Sequence, residues 1–151
     1  MIVVSYSADF GAELHRQFSM VINSAWYAAL FPQVKWAKDT GFEIVTTLGG
    51  GRYATSVGGT LTGRGADLII LDDPLNASEA YSEAARKRVI DWYDKTLVSR
   101  LNDKETGSII GVMQRLHEED LAGHLREQGG WTVLSCRQSP WTTKPFRLVT
   151  G

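Results

Sequence analysis

The chain has 151 residues, with 16 Lys and Arg against 17 Asp and Glu, so its formal charge is −1. This length suits one domain or part of one, and 43% apolar with 22% charged residues is typical of a globular protein rather than a disordered segment, a collagen or a coiled coil. The neutral balance also excludes a uniformly basic nucleic-acid-binding domain.

The sequence contains no stretch of membrane-spanning length, and the apolar run Met1–Ser5 is too short for a signal peptide. Cys136 is the single cysteine, so an internal disulfide is excluded. These features predict a soluble intracellular protein.

The first third of the chain predicts a strand, a long helix and a hairpin. The β-branched run Ile2–Tyr6 is typical of a buried strand. Apolar residues then recur at helical spacing over Phe10–Phe31, and Pro32 ends this predicted helix because proline disfavours helical geometry in the residue before it. Phe42–Leu48 and Arg52–Val57 are strand-like runs around three consecutive glycines, which indicates a hairpin.

The rest of the chain alternates predicted strands and helices. Strands are expected at Leu68–Leu71, Ser108–Met113 and Trp131–Cys136, with helices over Ala77–Leu101 and Glu118–Glu127. This alternation predicts an α/β fold in which helices flank a mostly parallel sheet. No repeat or linker divides the sequence, so we expect one unit.

Two adjacent acids, Asp72 and Asp73, follow the most strongly apolar predicted strand. In open α/β sheets, ligands bind beyond the carboxyl ends of the strands. Asp72 can hold Mg²⁺ and Asp73 can orient an attacking water, as phosphoryl transfer requires. The structural alternative is that Asp73-Pro74 begins a turn while Asp72 caps the next element. Taken alone, the pattern favours this alternative.

The glycine-rich stretch Gly58–Gly65 imitates a phosphate-binding loop. However, Arg64 stands where such a loop needs Lys, and Gly65 stands where Ser or Thr binds the metal. A true phosphate loop also opens a helix, whereas this stretch leads into a strand, so we reject the interpretation. Arg64 remains a candidate for contacting a phosphate or a neighbouring subunit's nucleotide, with a surface arginine beside a turn as the alternative.

Gln114 and Arg115 follow the predicted strand Ser108–Met113. They are therefore expected at the same sheet edge as Asp72 and Asp73. A glutamine there can sense a γ-phosphate or hold water, and an arginine can transmit the change to a moving element.

Two other polar groups have structural interpretations. His117, Glu118 and Asp120 fit no zinc spacing, and acids in the first turn of a helix are ordinary partners of its dipole. A charged, solvated helix face is predicted from Glu79, Glu83, Arg86, Lys87, Arg88, Asp91, Asp94 and Lys95.

Two long blocks resemble the large subunit of tailed-bacteriophage terminases: LTGRGADLIILDDP at Leu61–Pro74 and GVMQRLHEEDLAGHL at Gly111–Leu125. The resemblance extends from Val3 to about Trp131. In that family an ATPase domain of the P-loop NTPase class, additional-strand type, drives viral DNA into a procapsid, and a separate nuclease domain of the ribonuclease H type cuts the DNA.

By position, the resemblance implies that Asp72 binds Mg²⁺ and that Asp73 is the catalytic carboxylate, where related motors more commonly have Glu. It places Gln114 and Arg115 in the motif that couples nucleotide state to domain movement, with Arg115 contacting the cofactor. Arg64 falls in the loop before the acidic strand, with a catalytic role. The implied cofactors are ATP and Mg²⁺. The implied partners are double-stranded DNA, the portal protein, the small terminase subunit and further copies of the chain, in the cytoplasm of a bacterial host with no membrane.

The family's phosphate loop belongs upstream of Val3–Tyr6, and its nuclease domain belongs after Trp131. We therefore expect residues 1–151 to form a single partial ATPase domain, incomplete at its N-terminus. The tail from Pro140 does not resemble the family. Because the lysine and backbone cradle for the β- and γ-phosphates are missing from this chain, it is expected to be inactive or nearly so by itself.

Two other hypotheses come from different classes. One is a non-catalytic prophage remnant or interaction protein, in which the acids are vestigial. The other is a metal-dependent phosphoesterase or nuclease that uses Asp72, Asp73 and Asp120.

Overall fold

The computed structural model describes residues 1–135 and 147–150, and its framework is one β-sheet flanked by helices. The strands are β1 (Ile2–Ser5), β2 (Trp36–Asp39), β3 (Glu43–Thr46), β4 (Gly51–Ser56), β5 (Leu68–Asp72), β6 (Ser108–Val112), β7 (Thr132–Ser135) and β8 (Arg147–Thr150). The helices are α1 (Ala8–Ile22), α2 (Ala25–Leu30), α3 (Glu83–Trp92) and α4 (Leu121–Gln128). The predicted α/β fold is confirmed.

The eight strands follow the order β2-β3-β4-β1-β5-β6-β8-β7. The central strands β4, β1, β5 and β6 are mutually parallel. Antiparallel pairing begins only towards the two sides of the sheet, where β3 and β8 run against their neighbours. The expectation of a mostly parallel sheet is therefore confirmed, and β5 lies in its interior between β1 and β6.

Helices cover the two faces of the sheet differently. One face carries the main apolar core, in which β1, β5 and β6 pack with α3 and α4 through Val4, Leu71, Val89 and Leu125. On the other face α1 contacts β1 and β4. A Cβ added at Gly11 would lie 3.2 Å from Ser5 Oγ, so the glycine permits this close approach.

The single helix predicted over Phe10–Phe31 is wrong, because the segment forms α1 and α2. The break lies at Asn23 and Ser24. Asn23 donates from its side chain to the Ser19 carbonyl at 2.9 Å and closes α1, and the Ser24 hydroxyl accepts from the Tyr27 amide at the start of α2. Both residue types favour such local side-chain bonds over helix interiors.

The helix predicted over Ala77–Leu101 is only partly right. A 3₁₀ turn at Ala77–Glu79 precedes α3, whose start is capped by the Ser82 hydroxyl. After α3 the chain continues as a π-helical turn over Tyr93–Leu97 and a 3₁₀ turn over Val98–Arg100. The wider π turn is accompanied by burial of both of its large apolar ends, Tyr93 and Leu97.

Several boundaries differ near the C-terminus. The helix predicted from Glu118 begins at Leu121, because Asp120 caps it. The strand predicted over Trp131–Cys136 is β7, and Cys136 lies outside the described residues. Of the tail, residues 140–146 and 151 also lie outside them, while Arg147–Thr150 forms β8. Neither β2 nor β8 was predicted.

Among residues 1–135 and 147–150, the structure contains no helix with the length and apolar character needed to cross a bilayer.

Candidate functional site

Asp72 and Asp73 lie at the carboxyl end of the interior strand β5. Asp72 is its last residue, paired in register with Val112 of β6. Asp73 follows with φ of 43°, the only positive φ of a non-glycine residue in the described part of the chain. Such left-handed geometry is uncommon outside glycine and is concentrated at functional sites, although aspartate tolerates it better than most residues.

Hydrogen bonds tie Asp73 to the end of the neighbouring strand. Its backbone N–H donates to the Val112 carbonyl at 2.9 Å, and its Oδ1 accepts from the backbone N–H of Gln114 at 3.2 Å. The structure thus brings together three residues that the sequence placed at one sheet edge: Asp72, Asp73 and Gln114. The Gln114 side chain itself is exposed.

The charge of Asp73 adds to the cost of ionising Asp72 at this edge. Burial, and then the adjacent charge of Asp73, raise the pKa of Asp72 above its usual range. Within the described residues no basic side chain forms an ion pair with either acid. A divalent cation would relieve this repulsion, since an opposite charge nearby favours the ionised form of a carboxyl group.

The residues at this edge are too few to supply every ligand of a metal ion. They are better suited to Mg²⁺, which needs few protein ligands. Among the described residues no group of three or more His, Cys, Asp or Glu is placed to hold a metal ion. Mg²⁺ instead commonly binds one or two carboxylates and completes its shell with waters and substrate phosphates. Asp72 is such a carboxylate, and Asp73 follows it directly in the chain.

Asp120 has a structural role, because its carboxylate is engaged in hydrogen bonds to the backbone. It is 3% exposed, and its carboxylate accepts from three backbone amides: Gly123 at 2.9 Å, Leu116 at 2.8 Å and His117 at 3.1 Å. These bonds cap α4 and hold the turn between β6 and α4. With its oxygens engaged in this way, Asp120 is poorly suited to bind a metal beside Asp72 and Asp73.

Arg115 is folded into the same turn. Its Nε donates to the His117 carbonyl at 3.0 Å, and its Nη2 donates to the Glu118 carbonyl at 2.8 Å. Nε also lies 3.3 Å from Asp120 Oδ1. These contacts stiffen the turn that follows Gln114. Contact of Arg115 with a nucleotide would require part of this network to open.

Arg64 lies at the opposite end of β5 from the two acids. Because the five-residue strand separates them, the distance along the sheet is roughly 17 Å. Arg64 Nη1 pairs with Glu43 Oε1 at 2.6 Å, and its guanidinium lies 3.8 Å above the Tyr53 ring centroid. Within one chain, therefore, Arg64 is not part of the Asp72–Asp73 cluster. Its role on a neighbouring subunit's nucleotide stays a prediction.

Glu43 is held between two cations at the amino ends of the parallel strands, which we call the amino edge of the sheet. Arg64 first, and then Lys38 at 2.5 Å, lower the pKa of Glu43 to about 2. A hollow of about 560 Å³ lies beside it, lined by Glu43, Arg64 and glycines of the adjoining loops. The hollow at Asp73 and Gln114 holds only about 10 Å³, close to the space of one water. The acids therefore occupy an open sheet edge rather than a deep cavity.

Arg86 is a residue that the sequence interpretation missed. It belongs to the charged run predicted as a solvated helix face, yet it is 6% exposed. Its Nη1 donates to the Ala80 carbonyl at 2.9 Å and its Nη2 to Glu119 Oε2 at 2.8 Å. It thus links the segment after β5 to the turn after β6. Its spacing from the buried Val89 and Tyr93 was the available signal.

No protein-family model matches this chain, and comparison with curated proteins gives no match.

Proposed function

We propose that this chain is part of the ATPase of a terminase large subunit, which couples Mg²⁺-dependent ATP hydrolysis to translocation of double-stranded DNA into a viral procapsid. The proposal includes the P-loop NTPase class of the fold. It also includes a portal protein, a small terminase subunit and further copies of the chain as partners in a bacterial cytoplasm. By itself the chain is proposed to be inactive or nearly so.

The placement of Asp72 and Asp73 carries the proposal. They end an interior strand of a parallel sheet, and the next strand delivers Gln114 to hydrogen-bond distance of Asp73. Ligands of open α/β sheets bind at this edge. The resemblance of Leu61–Pro74 and Gly111–Leu125 to terminases assigns the same residues to ATP hydrolysis, so two independent lines of argument meet there.

Each residue has a defined task in this proposal. Asp72, whose pKa is raised by burial and by Asp73, would hold Mg²⁺. Asp73 Oδ1 is occupied by the Gln114 amide, while no described residue donates a hydrogen bond to Oδ2. That oxygen is left to orient a water and accept its proton. When bound, Mg²⁺ supplies positive charge that stabilises the phosphoryl group during transfer.

Arg86 and Asp120 act as positioning residues in the proposed site. Arg86 joins the segment after Asp73 to the turn after Gln114, and Asp120 holds that turn against α4. Neither touches a reacting atom. Their contacts reduce the freedom of the two loops, and such pre-organisation aids a reaction that depends on placement.

Thermal unfolding with Mg²⁺, with ATP and with both together tests the proposal. A ligand that binds the native state raises Tm by mass action. We expect the wild type to be stabilised by Mg²⁺ and ATP together. Asp72→Asn should lose this effect, and Glu127→Gln, a change of an exposed acid on α4, should keep it. No stabilisation of the wild type at millimolar ligand would contradict the proposal and favour a non-catalytic protein.

Turnover assays separate the remaining outcomes. ATP hydrolysis by residues 1–151 alone is expected to stay at background, since no phosphate-binding loop is recognised within them. Hydrolysis that Asp73→Asn abolishes would overturn the expected inactivity while supporting the site. Cleavage of DNA with Mn²⁺ and no ATP would instead favour a phosphoesterase.

A further inference from the structure

Arg52 is a buried cation at the amino edge of the sheet, remote from Asp72 and Asp73. It is 6% exposed and lies on β4, where Arg52 and Ala54 alternate with less buried residues. Its Nη1 contacts His15 Nδ1 of α1 at 2.5 Å. Its guanidinium carbon lies 5.0 Å from the centroid of the Phe18 ring.

This guanidinium lacks a neutralising carboxylate among the residues that the structure describes. In the part of the chain that the structure describes, Arg52 forms no ion pair with a carboxylate, and burial alone lowers its pKa. Since a guanidinium only donates, His15 Nδ1 must accept and the imidazole is neutral. Burial, and then the Arg52 charge, lower the pKa of His15 against weaker effects of the Thr40 backbone and of Asp39. A buried charge without a counter-ion is costly and therefore rare.

An aromatic hollow of about 220 Å³ opens beside Arg52. Its lining includes side chains from α1, α2, β2, β3 and β4. Among them are Phe18, Ile22, Tyr27, Val34, Trp36 and Arg52. A mostly apolar concavity with a small number of placed polar groups is the usual form of a small-molecule site. Its volume suits one aromatic ring, because an engineered cavity of about 150 Å³ holds benzene.

We infer that this hollow binds a small aromatic monocarboxylate. The ring fills the space between Phe18 and Trp36, and the carboxylate receives hydrogen bonds from Arg52. Planar guanidinium donors match the two oxygens of a carboxylate, and the pairing is strong where water is excluded. The inference is independent of the proposed ATPase function. It uses none of the residues at the carboxyl ends of the parallel strands, which we call the carboxyl edge of the sheet.

Calorimetric titration with phenylacetate and with its neutral isostere phenylacetamide tests the charge requirement. We expect phenylacetate to bind at least tenfold more tightly than the amide. Arg52→Met should abolish this preference, since methionine keeps the apolar stem and removes the charge. Lys35→Gln, which removes an exposed lysine beside the hollow, should leave both affinities unchanged.

A second variant fills the hollow without touching the arginine. Val34→Trp is expected to weaken phenylacetate binding at least tenfold while the far-ultraviolet circular dichroism stays that of the wild type. Equal binding of the acid and the amide, no binding of phenylacetate at millimolar concentration, or self-association of the chain through this face would each overturn the inference.

Discussion

The two edges of the parallel sheet leave opposite charges uncompensated. At the carboxyl edge Asp72 and Asp73 stand side by side, and no basic side chain among the described residues pairs with them. At the amino edge Glu43 is shared by Lys38 and Arg64, while Arg52 lies buried with no carboxylate partner in the described part of the chain. The proposed ligands differ accordingly: a cation with phosphate at the carboxyl edge and a carboxylate at the amino edge.

The difference also shows how a sheet separates residues that are close in sequence. Arg64 and Asp72 flank one short strand, yet they face different ends of the molecule. Gln114 is distant from Asp73 along the chain and hydrogen-bonds to it. Variants that change one edge and leave the other intact can therefore test this difference.

Asp120→Ala is expected to have the largest effect on stability, because it removes the carboxylate that caps α4 and holds the turn between β6 and α4. Three backbone amides and Arg115 would lose their acceptor inside the fold. A destabilisation of about 3 kcal/mol follows from losing a helix cap together with other buried bonds. Urea unfolding measures it, with the exposed Glu127→Ala as a control expected to change stability by less than about 0.5 kcal/mol. A cost equal to the control's would mean that the turn does not depend on Asp120.

Arg86→Ala is expected to cost about 2 kcal/mol, since the Ala80 carbonyl loses a buried charged donor. Glu119→Ala, which removes only the largely exposed partner, should cost about 0.5 kcal/mol or less. Denaturant titrations of the two variants provide the comparison. Equal costs would show that the ion pair, and not the link to Ala80, is what Arg86 contributes.

Replacing Asp73 tests the left-handed backbone at the site. Asp73→Ala should destabilise by about 1 kcal/mol, because a Cβ without a local polar partner tolerates positive φ poorly. Asp73→Asn should stay within about 0.5 kcal/mol of the wild type, since asparagine accepts this geometry and can still receive the Gln114 amide. If both variants were equally stable, the backbone at Asp73 would carry no strain.

The smallest effects are pH dependences of opposite sign at the two edges. The pKa of Asp72 is raised in the fold, so its contribution to stability falls as pH rises above about 3.8 through the raised pKa. The pKa of Glu43 is lowered to about 2, so its contribution is present above pH 4.5 and is lost as pH falls towards 2. At pH 7 we therefore expect Asp72→Asn to gain stability and Glu43→Gln to lose it. Unfolding curves between pH 3 and pH 7 measure both changes in stability. Changes of the same sign at the two edges would contradict the expected difference.

The sequence predicted the centre of the fold better than its periphery. Strand β5 and the neighbouring strands were found because buried parallel strands are continuously apolar. By contrast, β2 is short and exposed, so its residues carry no apolar pattern. The break at Asn23 and Ser24 depends on side-chain bonds to the backbone, which apolar periodicity does not report.

The candidate site was predictable in part. The positions of Asp72, Asp73 and Gln114 follow from the rule that parallel strands present their carboxyl ends at one edge. The remote location of Arg64 follows from the same rule applied to the start of β5. The burial of Arg86, the capping by Asp120 and the uncompensated charge of Arg52 depend on three-dimensional packing, which the sequence pattern alone does not contain.

Titration of the Asp72 and Asp73 carboxyl carbons by NMR, with and without Mg²⁺, tests the central claim most directly. Without metal, Asp72 should titrate above 3.8, because burial and Asp73 oppose its ionisation. Mg²⁺ should lower its apparent pKa and leave that of the distant Glu43 unchanged. An Asp72 pKa at its ordinary value, unmoved by Mg²⁺, would contradict the assignment of the carboxyl edge as a cation-binding site.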